Sequence, residues 1–197
     1  GGPDPAVQVQ TCAPCHSRRS ELVDAAQPGA PLLDGYQPSL LDEGLYHDDG
    51  QIQDEVYVWG SFLQSRMHAA GVVCSDCHDP HSLDLIFDGN DLCTRCHDRT
   101  VYDVPDHHHH ELGTAGASCV ECHMPAETYM VVDPRRDHSL RVPRPDLSVD
   151  SGAPNACNAC HDDRTAQWAA EAIDEWTGGK RPAHRGRAFH AFRTGDV

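Results

Sequence analysis

Large apolar side chains are scarce in this sequence. Leucine, isoleucine, valine and phenylalanine together account for only 35 of its 197 residues, and aromatic residues for 6%. A chain with so few core-forming residues and a strong net charge is typically disordered, because the surface it can bury does not offset the entropy lost on folding. Either this chain is disordered or a bound group fills its interior.

Basic residues are also few, and long apolar runs are absent. The chain has 15 Lys and Arg against 31 Asp and Glu, for a formal net charge of -16. A surface this acidic does not attract a phosphate backbone, so we expect no nucleic-acid partner. Because no run of about 18 apolar residues occurs, we also expect no membrane span.

All the cysteines fall into five copies of one motif, C-x-x-C-H. This motif is the attachment signal for c-type haem, in which two thiols bond the two vinyl groups of one porphyrin and the following imidazole ligates the iron. The predicted cofactor is therefore haem c, five per chain, with iron as the metal. The predicted attachment cysteines are Cys12, Cys15, Cys74, Cys77, Cys93, Cys96, Cys119, Cys122, Cys157 and Cys160, and the predicted proximal ligands are His16, His78, His97, His123 and His161.

Other uses of paired cysteines explain the pattern less well. Zinc sites do not require a histidine directly after each pair, and a disulfide framework does not place every cysteine at one spacing. A thioredoxin-like redox motif occurs once in a chain rather than five times.

The histidines that remain outside the motifs supply candidates for the second axial position of each iron. Ten histidines lie outside the motifs, whereas the chain has only three methionines. Bis-histidine iron of low reduction potential is therefore expected at most or all sites. His81 lies three residues past His78 and therefore points away from its own haem, toward a neighbour. His138 follows two arginines that are suited to haem propionates, and His47 is a further candidate.

Four consecutive histidines, His107 to His110, precede the fourth motif. One or two of them are expected to ligate iron, with His107, His109 and His110 as the candidates. His68 fits a ligand and a surface position equally well. His184 and His190 follow the last motif, and we interpret them as non-ligands.

The order of segments suggests a haem-binding module over 1–163 and a helical segment over 164–197. The pattern A-G-x-x-C-x-[D/E]-C-H-x-P occurs at 70–80 and again at 115–125, which indicates a duplicated haem unit. Elsewhere periodicity is poor, so we predict a mostly irregular fold with short α-helices and little β-structure. A short strand is predicted at 55–59, a helix at 61–70, and a helix capped by Asp162 or Asp163 that ends at Gly178-Gly179.

Residues between the motifs carry a resemblance to a known group. They include Glu43 to His47, Gly71 to Ser82, Cys119 to Met130, Asp137 to Ser139 and Pro154 to Cys157. Over roughly 40–185 the chain resembles the multihaem portion of bacterial cytochromes that continue into tetratricopeptide-type repeats, and more distantly the cytochrome c554, nitrite reductase and hydroxylamine oxidoreductase group. The resemblance implies haems in close pairs, with His47, His81, His138 and part of the four-histidine run as distal ligands. It also implies that helical repeats follow the last helix.

Two functions are consistent with these features. The first is an electron carrier or conduit without a catalytic residue, which passes electrons to redox partner proteins. The second is a reductase or oxidase of small nitrogen compounds, which requires one haem with an open face. Because c-type haem is attached outside the cytoplasm, a periplasmic or extracellular location is expected.

The first haem raises the question of self-assembly. No histidine precedes His16 in the sequence, and the next one is His47. Its distal ligand therefore comes from a remote part of the chain or from another subunit, with the His107–His110 run as the donor. A ligand from another subunit would join copies into a filament with continuous haems.

Overall fold

The computed structural model describes residues 4–23, 27 and 29–196. Their α-helices are α1 Pro5–His16, α2 Trp59–Phe62, α3 Arg66–Ala69, α4 Asp91–Thr94, α5 Arg99–Tyr102, α6 Pro105–His108, α7 Cys119–His123, α8 Pro145–Ser151, α9 Ala166–Thr177 and α10 Arg185–Thr194. The strands are β1 Arg19–Glu21, β2 Tyr36–Pro38, β3 Ala126–Tyr129 and β4 Asp133–Arg136, and 3₁₀ turns span Leu32–Asp34, Cys74–Asp76 and Ala115–Ala117. The prediction of short helices, irregular segments and little sheet is confirmed.

Each sheet is a separate two-stranded antiparallel ribbon. In the first, Arg19 pairs with Pro38 across β1 and β2. In the second, Ala126 pairs with Arg136 across β3 and β4, directly after the fourth motif. This second ribbon folds the chain back, so that Arg136 and His138 return to the side of helix α7.

Three local predictions need correction. Residues 55–58 form no strand, and the expected helix at 61–70 is divided into α2 and α3. The division occurs at Ser65, whose side chain accepts a hydrogen bond from the His68 N–H and so begins a new helix. Helix α9 begins after Thr165, which caps the Trp168 N–H, rather than at the two aspartates, and it ends at Gly178 with φ +70° as expected.

The apolar core that the protein supplies is small. Its buried cluster consists of Tyr46, Ile52, Val56 and Tyr129, with Leu41 and Leu45 packed against it. The Tyr129 hydroxyl donates to the Ile52 carbonyl at 3.2 Å. A core of this size agrees with the low aliphatic content and leaves most motif residues only partly covered.

The C-terminal helices pack against the rest of the chain through α8. Helices α9 and α10 both contact α8. Three basic residues of this segment pair with acids of the same chain. Arg181 and Arg187 both bind the Asp146 carboxylate, at 3.0 and 2.9 Å, and Arg193 binds Asp48. Within the described part of the chain, no helix is long and apolar enough to cross a membrane.

Candidate haem sites

The five motifs lie in helices or in turns. The first ends helix α1, the second occupies the 3₁₀ turn at Cys74–Asp76, the third overlaps α4, the fourth is α7, and the fifth lies in turns before α9. All ten cysteines are free and none of them is fully buried. Seven of them are partly buried and three are exposed.

Three of the five proximal histidines face a second histidine ring. The ring centroids of His78 and His138 are 6.3 Å apart, with 24° between the planes. His123 and His107 are 6.2 Å apart at 14°, and His161 and His110 are 6.1 Å apart at 36°. The structure thus brings together three pairs whose members are distant in the sequence.

This spacing fits an iron atom between the two rings of each pair. A metal–imidazole bond is about 2.0 Å long and a ring nitrogen lies about 1.1 Å from its ring centre, so two axial imidazoles have centroids about 6 Å apart. His109 lies much closer to Trp176, with 3.9 Å between centroids. The three histidine pairs have the centroid separation that two axial imidazoles require.

In one ring of each pair, a hydrogen bond indicates which nitrogen carries the proton. The Nδ1 atoms of His123 and His138 lie 2.8 and 2.9 Å from the carbonyl oxygens of Arg141 and Arg136. A carbonyl oxygen can only accept, so each Nδ1 carries the hydrogen and each Nε2 keeps its lone pair free for a metal. His110 makes the same kind of bond to the His108 carbonyl.

The electrostatic surroundings favour the neutral imidazoles that ligation requires. Burial lowers the pKa of His78, and the nearby His16 lowers it further. Burial also lowers the pKa of His138, against the hydrogen bond to the Arg136 carbonyl. For His107, burial and the neighbouring His123 lower the pKa.

The remaining predicted ligands have different surroundings. His47 is half-buried in a turn where its N–H donates to the Gln51 carbonyl at 2.9 Å. His81 is exposed, and its N–H donates to the Asp79 carboxylate at 2.8 Å. No second histidine ring faces His16 or His97 among the residues that the structure describes. The ring of Tyr102 lies edge-on to His97, with centroids 5.5 Å apart.

The two histidines predicted as non-ligands are held by local hydrogen bonds. The Nδ1 of His184 accepts from the Gly186 N–H and so caps helix α10. The Nδ1 of His190 lies 2.7 Å from an Asp48 carboxylate oxygen. Neither ring is paired with a proximal histidine in the described structure.

Successive motifs contact each other in chain order. Gln8, one turn before Cys12, exchanges two hydrogen bonds with Ser75 of the second motif, at 2.9 and 3.0 Å. Arg95 of the third motif donates to the carbonyl of Asp76 of the second, at 3.0 Å. The first three motifs therefore form a continuous row.

Asn90 extends this row to the fourth motif. Its amide donates to Asp103 and to the Ala117 carbonyl, and its oxygen accepts from the Cys119 N–H at 2.9 Å. Tyr102 bridges the same two sites, since its ring contacts both His97 and His107 edge-on. Sequence reasoning missed both residues, because a single asparagine or tyrosine outside a motif carries no distinguishing pattern.

The fourth and fifth motifs share the four-histidine run. His107 faces His123 of the fourth motif, and His110 faces His161 of the fifth. Cys122 and Ala156 line one small cavity between the two motifs. Helix α9 lies beside the fifth motif, where the centroid of the Trp168 ring is 5.1 Å from that of the His161 ring.

Several buried polar atoms have no partner among the residues that the structure describes. They are Trp59 Nε1, Ser61 Oγ, His108 Nε2 and Arg181 Nε. Buried donors without acceptors are destabilising, so such atoms usually mark a missing group. Haem propionates are acceptors that can satisfy donors beside the motifs, and helix α2, which carries Trp59 and Ser61, contacts helix α1.

By contrast, Arg135 and Arg136 are paired with Glu55 and Glu121 of the chain itself, at 3.4 and 2.6 Å.

Comparisons with known proteins support the same assignment. A family model described as the doubled CXXCH motif matches residues 68–102, which contain the second and third motifs. The matched motifs are of the kind that attaches haem c. The crystal structure of the outer cell wall cytochrome OcwA superposes with a TM-score of 0.59 at 20% identity, over 85% of this chain. The chain spans about half of that cytochrome, 51% of its length. A comparison with curated protein sequences finds no match.

Proposed function

We propose that this protein carries electrons through five covalently attached haems c. The observation that supports the proposal best is the unbroken row of contacts between successive motifs, from Gln8–Ser75 to the shared His107–His110 run. Haem iron supplies a one-electron redox centre at each motif when it is bound. The chain's own contribution is to hold neighbouring attachment sites side by side in a fixed order.

In this proposal three sites have bis-histidine ligands from one chain. They pair His78 with His138, His123 with His107, and His161 with His110. Neutral imidazoles on both faces leave no coordination position for a substrate and keep the potential low. Helix α9 and the Arg–Asp pairs around Asp146 fix the C-terminal segment over the fifth site, which limits reorganisation there.

Haem content and potential test the electron-transfer function directly. Pyridine haemochrome analysis of the purified protein should give five haems per chain, and a redox titration should show overlapping transitions at low potential. Stopped-flow measurements should show that the haems are reduced without any added substrate. A content below five, or a potential typical of histidine–methionine ligation, would contradict the proposal.

A second candidate function is reduction of small nitrogen compounds at an open haem. It is favoured by the third motif, where His97 faces no other histidine in the described structure and has the Tyr102 hydroxyphenyl ring nearby. Nitrite or hydroxylamine turnover by the dithionite-reduced protein, together with a high-spin signal, would establish it. A fully low-spin protein without turnover would eliminate it.

We also propose export and a role at the cell exterior. The attachment chemistry of haem c requires maturation outside the cytoplasm, and the cytochrome with the similar fold is an outer cell wall protein by its name. Fractionation of cells that express the complete gene tests this location. Recovery of the haem-loaded protein in the cytoplasmic fraction would contradict it.

Assembly into a filament is a further proposal from the sequence, with a ligand donated by the His107–His110 run. Changing all four histidines to Ala should then abolish assembly, as measured by light scattering and electron microscopy. The pairing of His107 and His110 within their own chain leaves His108 and His109 as the donors to test first. A variant with only these two changed is therefore the sharper experiment.

A further inference from the structure

The glycine that precedes the fourth motif lies directly against a predicted iron ligand. Gly116 belongs to the 3₁₀ turn Ala115–Ala117, and this turn contacts helix α6. A Cβ atom added at Gly116 would lie 2.5 Å from Cγ and 2.7 Å from Nε2 of the His110 ring, and it would meet Cδ2 as well. Carbon atoms in favourable contact are about 3.5–4.0 Å apart. The His110 ring therefore occupies the space that a side chain at position 116 would fill.

Backbone conformation does not explain this glycine. The first copy of the A-G-x-x-C repeat has Gly71 at the equivalent position. Gly71 has φ +87°, a left-handed conformation that favours glycine, and a Cβ added there would meet no neighbouring atom within 4 Å. Gly116 has no such positive φ. The two copies of the repeat thus have their glycines for different physical reasons, the first for its backbone and the second for the room it leaves.

The rest of the four-histidine run orients the His110 ring toward the fifth motif. Helix α6 ends at His109, which has φ +56° and stacks its ring on Trp176. The Nδ1 of His110 is hydrogen-bonded to the His108 carbonyl, so Nε2 keeps its lone pair free. The ring then faces His161, with 6.1 Å between the two centroids.

A side chain at position 116 would act on the ligand before it acts on the fold. The clashing atoms belong to an imidazole that can rotate about its χ angles, whereas the glycine is held in the backbone of the turn. To regain a normal contact the ring must move by about 1 Å, which is half the length of a metal–imidazole bond of about 2.0 Å. A displacement of this size removes the ring from ligating distance.

We propose that Gly116 is a positioning residue for the fifth haem, and that its lack of a side chain admits His110 as the second axial ligand of that iron. The inference rests on the proposed electron-transfer function, in which haem is attached at the fifth motif and His110 is paired with His161. It adds the residue that makes this pairing possible.

The first test compares Gly116→Ala with Ala115→Ser, which changes an exposed residue of the same turn. Electron paramagnetic resonance and absorption spectra of the haem-loaded proteins count high-spin haems per chain. We expect Gly116→Ala to contain one more high-spin haem than the wild type, and Ala115→Ser to contain none more. Added imidazole should return the Gly116→Ala spectrum to low spin, because a free ligand can enter where His110 has left. Wild-type spin states in Gly116→Ala would overturn the proposal.

A double variant that combines His110→Ala with Gly116→Ala keeps the inference falsifiable if the glycine change impairs haem loading. Once the ring is removed, a methyl group at position 116 has room. The double variant should therefore load haem as well as His110→Ala alone and show the same single high-spin haem, because the two changes act on one contact. Poorer loading than in His110→Ala, or a second high-spin haem, would overturn the proposal by showing that the glycine has another role.

The His110→Ala variant by itself separates this inference from the proposed function. A high-spin haem in His110→Ala but not in Gly116→Ala would overturn the role of Gly116 alone. No high-spin haem in His110→Ala would overturn the bis-histidine assignment of the fifth site together with the role of Gly116. Haemochrome analysis reports attachment at all motifs independently of the ligand.

Discussion

The rings of His107 and His123 lie nearly parallel, with 6.2 Å between their centroids and 14° between their planes. This relationship connects the four-histidine run to the fourth motif within one chain. His109, two residues from His107, is instead stacked on Trp176 at 3.9 Å. Neighbouring histidines in the run therefore have different roles, and substitutions can separate them.

Replacing His107 with Ala should convert one haem per chain from low-spin to high-spin, because the iron at the fourth motif loses its second imidazole. His184→Ala is the control, since the His184 ring caps helix α10 and faces no proximal histidine in the described structure, and it should leave the spin states unchanged. Electron paramagnetic resonance on both proteins provides the measurement. Low-spin haem at all sites in His107→Ala would show that the pair does not ligate iron.

Replacing Asn90 with Ala should destabilise the folded protein by about 2 kcal/mol, since three part-buried hydrogen bonds between the third and fourth motifs are lost. Chemical denaturation followed by circular dichroism measures the change. Gln167→Ala removes an exposed side chain that bonds Glu171 on the surface of α9, and it should have an effect near zero. Equal effects of the two substitutions would argue against a linking role for Asn90.

The carboxylate of Asp146 should make stability depend on pH. Burial raises the pKa of Asp146, but the hydrogen bonds and charges of Arg144, Arg181 and Arg187 outweigh burial and hold the pKa well below its usual range. Because the folded pKa lies below the unfolded value of about 3.9, the stabilisation is complete above that pH and is lost as pH falls toward the folded pKa.

The Asp146→Asn variant tests this dependence. It should be less stable than the wild type by about 2 kcal/mol at pH 7, and the difference should shrink as pH falls below about 4. Denaturation midpoints of both proteins across this range give the measurement. A difference that does not change with pH would indicate that Asp146 contributes by packing alone.

The chain without haem should be unfolded. The cluster of Tyr46, Ile52, Val56 and Tyr129 is small, and the other buried apolar residues of the described chain lie outside it and are mostly alanines. We expect a core of this kind not to offset the conformational entropy of the chain. Circular dichroism of protein produced without haem-attachment enzymes should show no cooperative melt. A native-like melting curve for the apo form would contradict this expectation.

Local structure followed the sequence where short-range signals were strong. The end of α9 at Gly178 was predicted, because a glycine with φ +70° is a local requirement of the helix terminus. The start of α9 and the break at Ser65 were predicted wrongly. Several polar residues in each region can cap a helix, and packing of the completed fold decides which one does so.

The sequence by itself determined the attachment chemistry, because two thiols and an imidazole within five residues form one unit whatever the rest of the chain does. Its low content of large apolar residues is also the basis for the prediction that the chain needs haem to fold. Only the tertiary structure decided that His138 faces His78 and that His110 faces His161, since these pairs depend on the β3–β4 turn and on the packing of α6. A second axial ligand is chosen by position in space, and sequence spacing does not encode that position when the partners are separated by many short, irregular segments.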